Sequence, residues 1–364
     1  MLRRVLGPLD VSGSDRSRCA PPGAVHGGPA APGRPAAPRR TDADRSPYPS
    51  PMALHEYLAT EVGEDWADGI ISRREALRRL ALLGLSTTAA VTLLEACAPA
   101  AGSASPGLTT IPTGAAEPPA TATAGQPTAT TSEPATSPAA VTGEAISFPG
   151  PRVEIQGFYA PAADPRGAML VVHENRGLND HIRSVASRLA ADGYSALAID
   201  LLSEEGGSEA LAQGDVQAAL SNASTERLVG DMKAGLDELG RRAPGARLGA
   251  IGFCFGGGMV WALLDVGDER LAAAIPFYGP APAAPDFSGN TAAVLGVYAE
   301  LDARVNASRE TAEAALTAAG LEHELKTYPG VDHAFFNDTG QRYDAEQAAA
   351  AYTDVLDWLS RYLG

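Results

Sequence analysis

Residues 146–364 predict an α/β fold, a mostly parallel central sheet with helices packed on both faces. Three observations carry this. Short apolar runs alternate with segments of helical spacing along the whole stretch, the pattern of parallel strands joined by crossover helices. Runs such as Ala168–His173 and Tyr194–Ile199 lack polar alternation, as strands buried on both faces do. Finally, Gly252-Phe253-Cys254-Phe255-Gly256 stands between one such run and a helical segment. That is the strand–turn–helix setting of a nucleophile elbow.

The elements follow in order. Arg152–Tyr159 alternates and predicts an edge strand. Ala168–His173 is a buried strand. From His181 to Asp192, helical spacing puts Ile182, Val185, Ala186 and Leu189 on one face. Tyr194–Ile199 is the next strand. Thr225–Arg241 is a helix with Leu228, Met232, Leu236 and Leu239 inward, and Arg247–Gly252 a strand. Phe255–Leu264 is helical, Leu271–Tyr278 and Ala293–Ala299 are strands, and Asn306–Ala319 is a helix closed by Gly320. Leu321–Tyr328 is the last strand and Tyr343–Leu363 the last helix. In such a sheet, ligands bind beyond the C-terminal strand ends.

The preceding residues carry an address rather than a core. From Ser72 the chain reads S-R-R-E-A-L-R-R-L-A-L-L-G-L-S-T-T-A-A-V-T-L-L-E-A-C. Arg73 and Arg74 form a twin-arginine pair, and Leu80–Leu94 is apolar but short of the roughly 20 residues a membrane span needs. A charged front, a short apolar centre and a small-residue exit mark an export signal. Leu94-Glu95-Ala96-Cys97 is similar to a lipobox, so Cys97 is the expected lipidation site. Residues 52–97 thus read as signal region and 98–145, rich in Pro, Ala, Thr and Ser, as a flexible linker. The expected location is the outer face of the cytoplasmic membrane. Residues 1–51 are Pro-, Arg- and Gly-rich and predicted disordered. Helical periodicity after Met52 makes Met52 the expected translation start.

Composition excludes other classes. The formal net charge of −16 argues against nucleic acid as a partner. The three cysteines are Cys19, Cys97 and Cys254. Only Cys254 lies in the predicted domain, which excludes an internal disulfide, a resolving thiol for redox sensing, and cysteine-built structural zinc.

The chemistry centres on Cys254. The elbow lifts its sulfur over a strand end and aims the first helix N–H groups at a reacting oxygen, which favours thiolate and oxyanion alike. A thiol needs a base and the base an orienting acid, in the chain order nucleophile, acid, histidine. Two histidines follow. His323 lies within a predicted strand among polar neighbours, whereas His333 stands in the loop after it and is the expected base. For the acid, Asp302 after the strand A-V-L-G-V-Y-A is favoured over Glu300 and Asp332.

These residues resemble the dienelactone hydrolase family of carboxymethylenebutenolidase-like proteins across 146–364. The resemblance rests on V-V-H-E-N-R-G-L-N around Glu174, G-F-C-F-G-G around Cys254, Y-A-E-L-D-A-R around Asp302 and P-G-V-D-H-A-F-F around His333. It implies an α/β-hydrolase that cleaves a lactone or small ester through an acyl-enzyme, with no metal or organic cofactor. It further implies that Glu174 interacts with the cysteine, and that the backbone N–H groups of Asn175 and Phe255 form the oxyanion hole. One departure stands out. The family's two carboxylate-binding arginines are missing: the position four after His333 is Asn337, and Leu201–Ser224 contains no arginine. Arg176, Arg304 and Arg342 are substitutes, Arg176 first, and an uncharged substrate is expected. The rival reading is a catalytically silent surface lipoprotein that binds a small ligand.

Overall fold

The computed structural model describes residues 51–97 and 141–364. The expectations for residues 1–50 and for most of the linker, 98–140, lie outside the described residues. Segment 51–97 packs with residues 141–364 in one compact unit, so the folded part begins upstream of 146. Segment 51–97 folds as three helices: α1 (Pro51–Ala67), α2 (Arg73–Leu82) and α3 (Thr87–Cys97). Leu58, Val62, Ala76, Leu80, Ala90 and Leu94 are buried and belong to the same core as the sheet. The short apolar stretch that reads as a signal is therefore also amphipathic packing surface.

Eight strands form one sheet in the order β1-β2-β4-β3-β5-β6-β7-β8. β1 (Glu144–Pro149) and β2 (Glu154–Ala160) make an antiparallel hairpin, and β2 is antiparallel to β4 (Tyr194–Ile199). The rest is parallel: β3 (Gly167–Val172), β5 (Leu248–Phe253), β6 (Leu271–Phe277), β7 (Ala293–Ala299) and β8 (His323–Tyr328). Every residue of β3, β4 and β5 is buried, as their unbroken apolar runs require. Strand β1 was not anticipated, because its alternation, Glu144 to Pro149, is exposed at all but Ile146 and Phe148.

The connecting helices are α4 (Asp180–Ala191), α5 (Gln213–Asn222), α6 (Thr225–Arg242), α7 (Phe255–Val266), α8 (Ala303–Asn306), α9 (Arg309–Ala319) and α10 (Ala345–Tyr362). Four are capped by a side chain: Asn179 accepts from Ile182 N, Ser224 from Arg227 N, Asp302 from Val305 N, and Asp344 from Gln347 N. Helix α5 has little amphipathic character of its own and was not foreseen; α1 and α2 pack against it.

The chain steps from β3 through α4 to β4 in one direction along the sheet, and from β5 through α7 to β6 in the other. Right-handed crossovers then put α4 and α7 on opposite faces. The order reverses between β3 and β5, so a crevice opens at the C-terminal ends of those two strands. Glu174 follows β3 there, and Cys254 follows β5.

Candidate active site

Cys254 sits at φ 56° and ψ −117°, a left-handed backbone at the N-terminus of α7. Three glycines make this turn possible. A Cβ on Gly252 would lie 2.2 Å from Gly256 O, one on Gly256 2.4 Å from Val172 O, and one on Gly257 2.3 Å from Phe277 O. No side chain fits at those distances. The Cys254 N–H donates to Phe277 O at 3.1 Å, tying the elbow to β6. The first N–H groups of α7, beginning with Phe255, have no partner within the helix and directly follow Cys254, the residue that caps it.

His333 and Asp302 arrive on the loops after β8 and β7. His333 Nδ1 and Asp302 Oδ2 are 2.6 Å apart and both side chains are buried. Asp302 is fixed from behind, because its Oδ1 caps α8 by accepting from Val305 N at 3.0 Å. The competing residues are engaged elsewhere. Glu300 accepts from Gly330 N, Asp332 from the backbone N–H of His333, and His323 Nδ1 contacts Leu321 O. Glu174 is buried after β3; its Oε2 accepts from Asn337 Nδ2 at 2.6 Å, and its Oε1 has no hydrogen-bond partner. Asn337 is oriented in turn by Thr339, whose N and Oγ1 both donate to Asn337 Oδ1. The neighbouring His173 takes a defined tautomer: Nε2 accepts from Leu201 N, so Nδ1 carries the proton and donates to Glu174 O.

Two residues of α1 also belong to this site, and the sequence reading missed them. Tyr57 Oη lies 3.2 Å from Cys254 Sγ. Glu61 Oε2 lies 3.8 Å from the same sulfur, and Glu61 Oε1 lies 3.4 Å from His333 Nε2. The available signal was the spacing Tyr57, Glu61, Asp65, one face of a helix at i, i+4 and i+8.

These groups set each other's charge. Burial alone would keep His333 neutral, but Glu61, Cys254 and the Asp302 hydrogen bond outweigh it and hold the imidazole protonated well above its ordinary range. Burial and then the Glu61 charge push the Cys254 thiol up, with His333 opposing. Burial also disfavours ionised Glu61, yet His333 and Arg304 bring its carboxyl below the ordinary value. Thus Glu61 at Nε2 and Asp302 at Nδ1, not the sulfur, supply the counter-charge to the imidazolium. Glu61, Cys254 and His333 each place one donor atom within 4.8 Å of the others. That spacing suits a small cation, but the Glu61–His333 charge pair balances both groups without one.

The space left is a cavity of about 30 Å³, lined among others by Glu174, Asn175, Arg176, Cys254 and His333. Arg176 and Arg342 both line this cavity. Arg304 and Arg342, the alternatives to Arg176, are taken up by acids of the N-terminal segment: Arg304 by Glu61 and Glu64, Arg342 by Asp65 and Asp68.

The sequence profile of the dienelactone hydrolase family matches residues 155–363. The chain belongs to the dienelactone hydrolase family. Its α/β-hydrolase fold and its relatives make it a hydrolase acting on ester bonds. A protein of Saccharolobus solfataricus named "Putative carboxymethylenebutenolidase" is 28% identical over 257 residues, 59% of this chain and 97% of that protein. One of the same name from Escherichia coli K12 is 32% identical over 219 residues, 55% of this chain and 79% of that one. Among solved structures, a dienelactone hydrolase described as "Putative" from Klebsiella pneumoniae superposes with a TM-score of 0.54 at 27% identity, covering 61% of this chain and 99% of its own.

Proposed function

We propose that this member of the family cleaves a lactone or small ester by nucleophilic attack of Cys254. The observation that carries the reading is the buried Asp302–His333 contact of 2.6 Å beside a sulfur on a strained elbow. With Glu61 withdrawn from the ring, a neutral His333 takes the thiol proton at Nε2, and Asp302 holds the ring by its Nδ1–H. The thiolate attacks the carbonyl carbon, and the N–H groups of Phe255 and Asn175 donate to the oxyanion. Collapse breaks the carbon–oxygen ester bond; His333 returns its proton to the departing alcohol or enol. Water, deprotonated by His333, then hydrolyses the thioester and frees the acid and the thiol. Glu174, with one unpartnered carboxylate oxygen beside the elbow, biases the cysteine's ionisation.

In full-length protein, Cys254→Ala is expected to abolish hydrolysis of short aryl esters, and wild type to show a burst of acyl-enzyme. Turnover that survives Cys254→Ala would assign the chemistry elsewhere. Arg176→Ala is expected to raise KM for anionic esters more than for neutral ones, and equal effects would remove Arg176 as a carboxylate clamp.

The address on residues 72–97 supports export by the twin-arginine route and lipidation of Cys97. Arg73 and Arg74 are exposed and Cys97 ends α3 as a free, half-buried thiol. Among the described residues, no helix is long and apolar enough to cross a membrane. Fractionation of cells expressing the whole chain tests this. Wild type is expected with the membranes, Arg73→Lys/Arg74→Lys in the cytoplasm, and Cys97→Ala released; wild type found in the cytoplasm would overturn it.

A further inference from the structure

We propose that helix α1 is an intramolecular inhibitor of the uncleaved chain, an acidic helix docked in the substrate site until processing at Cys97 frees it. The proposal rests on the assignment of Cys254 and His333 as the reacting groups. Four features of the docked helix support it.

The first is occupancy. The phenol of Tyr57 contacts the sulfur at 3.2 Å, and Glu61 contacts both sulfur and imidazole. The remaining cavity of about 30 Å³ has room for a water molecule or two and none for an ester.

The second is charge complementarity. Arg304 approaches three residues of α1: its guanidinium lies 4.5 Å from the centre of the Tyr57 ring, pairs with Glu61, and donates from Nε to Glu64 Oε1 at 3.0 Å. Arg342 donates from Nε to Asp68 Oδ2 at 2.6 Å, just past the end of α1, and lies 3.7 Å from Asp65. The acids of this one segment meet the basic groups at the mouth of the site.

The third is apolar anchorage. Leu58 and Val62 are fully buried on the face adjoining Tyr57 and Glu61. α2 and α3 brace α1 from behind, with Arg78 reaching Asp215 of α5 at 3.4 Å.

The fourth is electrostatic consequence. Glu61 takes the imidazolium that would otherwise pair with a thiolate, so the docked state both blocks and disarms the nucleophile.

The test is alkylation of Cys254 by iodoacetamide in the full chain near neutral pH, followed by peptide mass spectrometry. Leu58→Asp drives α1 off its apolar seat. Glu61→Gln/Glu64→Gln weakens its hold on Arg304 while keeping Leu58 and Val62, so the proposal stays testable where Leu58→Asp fails to fold. Hydrogen exchange of β5 and α7 verifies that the catalytic part is intact. Both variants are expected to label roughly ten-fold faster than wild type or more, as the population with α1 undocked rises. Labelling at the wild-type rate in a folded Glu61→Gln/Glu64→Gln protein whose α1 amides exchange freely would overturn the proposal. So would wild type labelling as fast as an unhindered thiol. Faster labelling without any ester hydrolysis would leave α1 as the occupant and sink the hydrolase mechanism instead.

Discussion

At the scale of single residues, the sharpest constraint is the elbow. Gly256→Ala would press a methyl group to 2.4 Å from Val172 O and 2.6 Å from His173 O, both rigid backbone at the end of β3. Overpacking of this kind costs about 1–3 kcal/mol where the site relaxes and more where it does not. The expected result is a lower urea midpoint together with lost ester turnover; a stable, active Gly256→Ala would show that β3 can retreat. Asp302→Asn keeps the shape of the acid but offers His333 a neutral partner, and kcat is expected to fall by orders of magnitude, as for the corresponding change in serine-protease triads. Cys254, His333 and Asp302 were legible in the sequence because each sits at a strand end with a local pattern around it. Tyr57 and Glu61 were not. They lie 197 and 193 residues before the cysteine, so no local rule links them to it, and a strong export pattern in the same segment offered a complete explanation on its own.

Among elements, the parallel strands were the most legible, because burial on both faces leaves an unbroken apolar run. Strand β1 and helix α5 were not: one is an exposed edge, the other short and weakly amphipathic. Helix α1 was readable as a helix, and the segment of α2 and α3 as an export signal, but neither as part of the fold, since only tertiary contacts decide whether an apolar stripe meets lipid or protein. Their packing makes its own prediction. A Cβ on Gly63 of α1 would stand 2.7 Å from Cys97 Sγ, so Gly63→Val should wedge α1 and α3 apart. Limited proteolysis is expected to cut α1 first in this variant, and a cleavage pattern unchanged from wild type would show that the bundle gives way without cost. Leu58→Ala, which empties a fully buried site, is expected to cost about 2–5 kcal/mol of docking or folding stability.

For the molecule as a whole, the Glu61–His333 pair makes stability depend on pH from both sides. Glu61 titrates below its ordinary value in the folded chain, so its contribution is complete above that ordinary value and is lost as pH falls through the folded one. His333 titrates above its ordinary value, so its contribution is complete below pH of about 6.5 and is lost as pH rises through the folded value. The stability difference between wild type and Glu61→Gln is therefore expected to be greatest between roughly pH 4.5 and 6.5 and to shrink on either side. Urea midpoints of both proteins from well below to well above that range measure it, and a difference that does not change with pH would mean that the pair holds no net charge interaction.

The contact between Tyr57 and Cys254 also changes what an affinity means for this enzyme. A helix covalently joined to its own binding site acts at a fixed effective concentration that dilution cannot lower. If α1 is docked in all but one molecule in about a hundred, every substrate binds about a hundred-fold more weakly than the bare pocket would allow. The chain between α3 and β1 then becomes a quantity that sets KM: severed beside Cys97, the tether no longer confines its ligand, and the helix diffuses away. Two populations of the same gene product, one tethered and one cut, would differ in apparent substrate affinity without differing by a single residue in the pocket.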